Sequence, residues 1–186
     1  MAADVSSVPI SSTELREVLG LFATGVAIIT ATMEDGERIG ATVSSFNSVS
    51  LDPPLVLFSI ARAARAFSAW ESAREFAVNI LGEEQSVLST RFSRSNTDKW
   101  AGIEPLPGEA TAAPLLPRAL AWLECASYAQ YDGGDHVIFV GRVLSLRCRS
   151  EPEPRPLVFF KSRYRRLDPD LAIETPSRED FWLHGW

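Results

Sequence analysis

Apolar positions in this chain fall mostly in short β-branched runs, with few stripes at helical spacing. Near the start, Ser11 and Glu14 have the spacing of a capping box. Leu15, Val18, Leu19 and Phe22 follow at helical intervals. The pattern predicts a short amphipathic helix that packs one face on the core and stops near Gly25. Residues 26–33 are apolar and β-branched, and Asp35-Gly36 is a hairpin signal. A strand over 26–33 and its return over 38–46 are therefore expected. After the break at Pro53-Pro54, residues 55–60 read as a buried strand and the alanine-rich 61–72 as a helix. A further strand over 76–81 and a helix over 83–92 follow.

Residues 96–117 hold several prolines and glycines without a clear period and read as one long loop, a kind of segment that often carries function. Two long strands are expected at 119–131 and 136–149, joined by the tight turn Asp132-Gly133-Gly134-Asp135. A last short strand covers 157–160. Strands outnumber helices and are joined mainly by hairpins, without the regular strand–helix alternation of a doubly wound parallel sheet. The fold class is mainly β: an antiparallel β-barrel with peripheral helices. One domain over 1–186 is expected, with its core at about 12–167 and an extension at 168–186.

Composition narrows the function classes. A net charge of −6 argues against a nucleic-acid binder. No apolar stretch nears the roughly 20 residues needed to cross a bilayer, and residues 1–10 lack the features of a signal peptide. The expected location is the cytoplasm, with no membrane partner. Arginines crowd residues 142–166, read either as a solvated face or as an anion or partner site. Cys125 and Cys148 lie in strand-like segments and are expected to be free and buried. The two cysteines and two histidines, His136 and His184, show no ligand spacing, so no metal is expected.

The densest chemistry lies in Thr42, Val43, Ser44, Ser45, Phe46, Asn47, Ser48, Val49 and Ser50. A strand alternates its faces, yet hydroxyl and amide groups occur here on both. Each hydroxyl buried without a partner costs roughly 1–3 kcal/mol. The segment is either a surface strand running into a serine-rich turn or a wall solvated by a polar ligand. Asn79 stands in an apolar strand, either satisfying neighbouring backbone groups or reaching a pocket. His136 follows a glycine turn, as a structural strand-end residue or as a group acting on a ligand.

Five pieces in order resemble one family. They are Gly25-Val26-Ala27-Ile28-Ile29-Thr30, Gly40-Ala41-Thr42-Val43-Ser44-Ser45-Phe46, Ser48-Val49-Ser50-Leu51-Asp52-Pro53-Pro54-Leu55-Val56, Phe76-Ala77-Val78-Asn79-Ile80-Leu81, and Gly134-Asp135-His136-Val137-Ile138-Phe139-Val140-Gly141. With this order, most of the chain up to Leu167 resembles the short-chain flavin reductases of two-component monooxygenases. The resemblance implies an FMN-binding split barrel of Greek-key type and a homodimer. It implies NAD(P)H-dependent reduction of FMN or FAD, and release of reduced flavin to a separate monooxygenase component. By the same resemblance, Thr42 to Asn47 meet the flavin ring, with Val43 and Phe46 as its wall. Ser48, Ser50 and the loop carrying Ala61, Arg62, Ala63 and Arg65 meet its phosphate. Phe92, Ser93 and Arg94 approach from one side, and Tyr164 closes the cleft. His136 sits beside the nicotinamide of NADH or NADPH, where it orients the ring or supplies a proton. The family pattern has a hydroxyl residue where Ala66 stands, so one implied phosphate contact is missing. Two rival readings are an electron carrier that retains its FMN and a split barrel without catalysis. Phe181, Trp182 and Trp186 suggest a tail that folds back on the protein or on a partner.

Overall fold

The computed structural model describes residues 9–95, 97–150 and 153–168. Among these residues, ten strands and three α-helices run in the order α1 (Ser12–Leu19), β1 (Thr24–Gly25), β2 (Ala27–Thr32), β3 (Arg38–Val43), β4 (Asn47–Leu51), β5 (Pro54–Ala61), α2 (Phe67–Ser72), β6 (Glu75–Ile80), α3 (Ser86–Ser93), β7 (Ala121–Gly133), β8 (His136–Cys148), β9 (Val158–Phe160) and β10 (Arg163–Arg165). A 3₁₀ turn, Glu83–Gln85, leads into α3. Seven strands form one antiparallel sheet in the order β3-β2-β6-β7-β8-β5-β4. The sheet curls until β3 reaches β5. The Ser45 hydroxyl accepts from Ser59 N at 2.9 Å and donates to Ser59 O at 3.4 Å, fastening the chain just after β3 to β5. A small sheet, β1-β9-β10, lies beside it. The mainly β, split-barrel expectation holds.

The run of apolar residues in β2 has a direct cause. Five of its six residues are buried, so the strand is covered on both faces. Ile29 packs inside the barrel with Phe58, Phe76, Val78 and Phe139. Its neighbour Ile28 turns the other way, onto Leu81, Phe92, Leu116 and Leu157. Alternation along one strand thus joins two cores. Inside the barrel, the Phe58 ring stacks on Phe139 at 5.3 Å and meets Phe76 edge-on at 5.0 Å, preferred aromatic geometries.

Three expectations need correction. The α1 capping box forms as read, but no residue of α1 is buried. Leu15, Val18, Leu19 and Phe22 are 48–76% exposed, because no described element lies against that face. The helix expected over 61–72 is confined to Phe67–Ser72. Residues 62–66 form turns instead, with Arg62 N bound to Asp135 O at 2.9 Å and Ala64 N to Ala61 O at 2.9 Å. Cys125 is buried as expected, but Cys148 is exposed near the end of β8; both are free. Burial, then the neighbouring Glu124 carboxylate, pushes the Cys125 thiol up to about 12. The arginine-rich stretch is partly paired: Arg149 binds Glu84 at 2.9 Å and Arg166 lies 3.4 Å from Glu83. No helix among the described residues is long and apolar enough to cross a membrane. The tail residues Phe181, Trp182 and Trp186 lie outside the described residues.

Candidate active site

A cleft of about 800 Å³ opens where β3 meets β5. Its volume falls within the roughly 300–1,000 Å³ of small-molecule sites. β3 and the two serines after it form one wall, α2 and the loop before it a second, and the end of α3 with Ser95 and residues 97–100 a third. His136, the first residue of β8, completes the lining.

Nine of the residues singled out from the sequence line this cleft. Thr42, Val43, Ser44 and Ser45 come from the first wall, Ala61 and Arg65 from the second, and Phe92 and Ser93 from the third, with His136 as the ninth. Two of the hydroxyls are already engaged. Thr42 Oγ1 donates to Ser89 O at 2.6 Å, and Ser45 bridges to Ser59. Ser44 is exposed. Apolar surface comes from Val43, Ile60, Trp70 and Phe92. The wall needs a glycine at position 40, since a Cβ there would overlap the buried Phe92 ring.

The others lie elsewhere. Asn47, Ser48 and Ser50 are on the edge strand β4, where Asn47 Oδ1 accepts from Ser48 N at 2.9 Å. Phe46 packs against the barrel core. Ala63 and Arg94 are exposed and outside the cleft lining. Arg62 turns to the β7–β8 turn, donating to Asp132 Oδ1 at 2.8 Å and Gly134 O at 3.0 Å. Asn79 is fully buried and satisfies its neighbours: its amide donates to Ile28 O and Thr30 Oγ1 and accepts from Leu116 N. The Tyr164 hydroxyl meets Ser89 Oγ at 2.8 Å, holding α3 from behind the cleft.

His136 Nδ1 lies 2.7 Å from Asp135 Oδ1. An ionised carboxylate only accepts, so Nδ1 carries the proton and Nε2 is the nitrogen left for a ligand. The same bond holds the Asp135 carboxyl below its ordinary range.

Sequence reading missed Lys99 and Trp100, both in the cleft lining. Lys99 Nζ donates to Gly40 O at 2.7 Å and Phe92 O at 2.9 Å, and burial lowers its pKa. Trp100 Nε1 donates to Arg38 O at 2.9 Å, and its ring meets Phe92 edge-on at 5.2 Å. Together they tie the loop to the outer edge of β3. A Lys-Trp pair inside an aperiodic segment carries no sequence signal of this.

The model for the flavin reductase like domain matches residues 19–168. The chain belongs to the flavin reductase like family. Among its relatives, HsaB of Rhodococcus jostii (strain RHA1), the reductase subunit of a flavin-dependent monooxygenase, is 41% identical over 177 residues, covering 95% of this chain and 88% of that protein. SmoA of Agrobacterium fabrum (strain C58 / ATCC 33970), an FMN reductase (NADH), is 44% identical over 159 residues, with 84% and 87% covered. Among solved structures, the Streptomyces globisporus NADH:FAD oxidoreductase SgcE6, in complex with NAD and FAD fragments, is 36% identical with a TM-score of 0.79, covering 86% and 94%. The lining of this flavin reductase family member combines the kinds of group a flavin requires: apolar side chains, hydroxyls and the guanidinium of Arg65.

Proposed function

We propose that this chain is an NAD(P)H:flavin oxidoreductase that passes reduced flavin to a separate monooxygenase component. The observation that carries the reading is the cleft, where hydroxyl-rich Thr42–Ser45 and His136 share one lining despite lying far apart in sequence. A bound flavin supplies the hydride acceptor and a reduced nicotinamide the donor. The protein's part is to hold both rings, exclude water and present polar groups. Val43, Ile60, Trp70 and Phe92 supply apolar surface for the rings, Arg65 receives the phosphate, and Nε2 of His136 faces the nicotinamide. NADH is the favoured donor, as the names of SmoA and SgcE6 both specify it. FMN and FAD both suit an open cleft of this size.

A homodimer accounts for apolar surface that the described residues leave uncovered. Val49 and Leu51 on β4, Leu144 and Leu146 on β8, and Tyr128 and Tyr131 on β7 are 42–78% exposed. Exposed patches of this kind mark protein interfaces. The enzyme acts in the cytoplasm, among its cofactors and its oxygenase.

The test is steady-state oxidation of NADH and NADPH with FMN, FAD and riboflavin in turn. Flavin-dependent turnover that is faster with NADH is expected. No flavin-dependent oxidation would end the reading, and a flavin that co-purifies without exchanging would favour the electron carrier. For the phosphate, Arg65→Ala is expected to weaken FMN about tenfold and riboflavin little. The double change Ser48→Ala with Ser50→Ala, on the edge strand, is expected to leave both ligands unchanged.

A further inference from the structure

The turn that carries His136 is rich in glycine. Gly133 and Gly134 stand side by side, and Gly134 has φ +79°, a conformation that suits glycine. Arg62 fastens this turn from outside with three hydrogen bonds. Arg62 follows Ala61, which pairs with His136 in the β5–β8 ladder. Its main-chain N donates to Asp135 O at 2.9 Å, its Nε to Gly134 O at 3.0 Å, and its guanidinium to Asp132 Oδ1 at 2.8 Å. The same Asp132 oxygen accepts from Gly134 N at 3.1 Å. The guanidinium also lies 5.8 Å from the centre of the Phe67 ring, the first residue of α2, a helix that walls the cleft.

We propose that Arg62 is a positioning residue for His136. By clamping the β7–β8 turn to the cleft wall, it fixes the Asp135–His136 pair and so the direction in which Nε2 points. Arg62 lies outside the cleft lining, so it acts through the turn and not on the ligand. Its side chain is 44% exposed and that of Asp132 is 79% exposed. Ion pairs this wet contribute little to global stability. The effect of the clamp therefore belongs to His136 and not to folding. The inference rests on the proposed role of His136 at the nicotinamide.

The test compares Arg62→Met, Asp132→Asn and the double variant as full-length proteins. The first readout uses no ligand: the ring nitrogens of His136 by NMR, assigned through their loss in His136→Gln. The unchanged protein is expected to show one tautomer with Nδ1 protonated. Arg62→Met is expected to show both tautomers, with thermal stability nearly unchanged. The second readout is anaerobic single-turnover bleaching of FMN by NADH. Arg62→Met is expected to slow it about five- to twentyfold, with FMN affinity within twofold of normal. Added to His136→Ala, it should cause no further loss. An unaltered tautomer ratio in Arg62→Met overturns the clamp, whatever the activity. So does an FMN affinity that falls far more than riboflavin affinity, which would make Arg62 a phosphate contact. A shifted ratio with normal bleaching in both Arg62→Met and His136→Ala upholds the clamp and overturns the role given to His136.

Discussion

The segment between α3 and β7 divides into two halves that do opposite work. Residues 97–100 wall the cleft, and residues 106–116 cover the outside of the sheet. The outer half is held by side chains that the sheet sends up to it. Thr30 Oγ1 donates to Pro114 O at 2.6 Å, and Thr32 Oγ1 to Ala112 O at 2.9 Å. Asn79 Oδ1 accepts from Leu116 N at 2.7 Å. Glu124, 3% exposed, accepts from the main-chain N of Glu109, Ala110 and Thr111 and from the Thr111 hydroxyl. The cleft half is tied mainly by long side chains, with Lys99 and Trp100 reaching carbonyls on β3 and α3. Short buried anchors make a fixed cover. Long, half-buried ones leave a wall that can adjust to a ligand.

The sharpest break in this contrast is Glu124→Ala. It strips a charged acceptor from three main-chain donors, each such bond being worth about 1.5–3 kcal/mol, so a loss on the order of 5 kcal/mol is expected in urea unfolding. Acid should reproduce part of it. Burial works to raise the Glu124 pKa, but the bonds from Glu109, Ala110 and Thr111 outweigh it and the net direction is down. A carboxyl with a depressed folded pKa stabilises above its unfolded pKa, and that stability is lost as pH falls through the folded value. The urea midpoint of the native protein should therefore fall on acidification more steeply than that of Glu124→Gln. Equal slopes would mean that the nest does not hold the carboxylate.

Asn79→Leu comes next. It leaves Leu116 N and Ile28 O without their side-chain partner inside the fold, at roughly 2–4 kcal/mol for two buried groups. Flavin affinity of the folded fraction should not change. A change in affinity without a stability loss would return Asn79 to the site.

The contrast also explains what the sequence could disclose. β2 and β6 were legible because they are apolar on nearly every position, being buried on both faces, and β5 because it is an apolar run with one face buried along its length. The hydroxyl-dense Thr42–Ser45 pointed to the cleft wall, although two of its hydroxyls turn out to hold the barrel together. The two-residue β1 and three-residue β10 are too short to leave a pattern. The division of 97–116 stayed hidden because its anchors lie far away in sequence, on β2, β6 and β7. Glu124 between Leu123 and Cys125 was the readable sign, a carboxylate in an apolar strand that must find donors. The α1 stripe misled for a related reason: periodicity shows that a face wants cover, not what covers it.

Lys99→Met tests the cleft half directly. The change removes two charge-assisted bonds but also the cost of a half-buried cation, so stability should move by no more than about 1 kcal/mol. Ligand affinity should move more, by about tenfold for FMN in a fluorescence titration, since residues 97–100 lose their tie to Gly40 and Phe92. A stability loss as large as that of Asn79→Leu would erase the distinction between the halves.

The smallest effect is expected from Trp100→Phe. Phenylalanine keeps an aromatic ring against Phe92 and loses the Nε1 bond to Arg38 O. That carbonyl faces out from β3, the edge strand of the sheet, where water can replace the lost donor. The net cost should be about 0.5–1 kcal/mol in urea unfolding. Its informative signature is local: amide exchange should quicken across 97–103 and stay unchanged across 106–116. Each half has its own anchors, so loosening one need not loosen the other. Faster exchange spreading into 106–116 would show that the segment opens as one unit, and the two halves would then share a single stability.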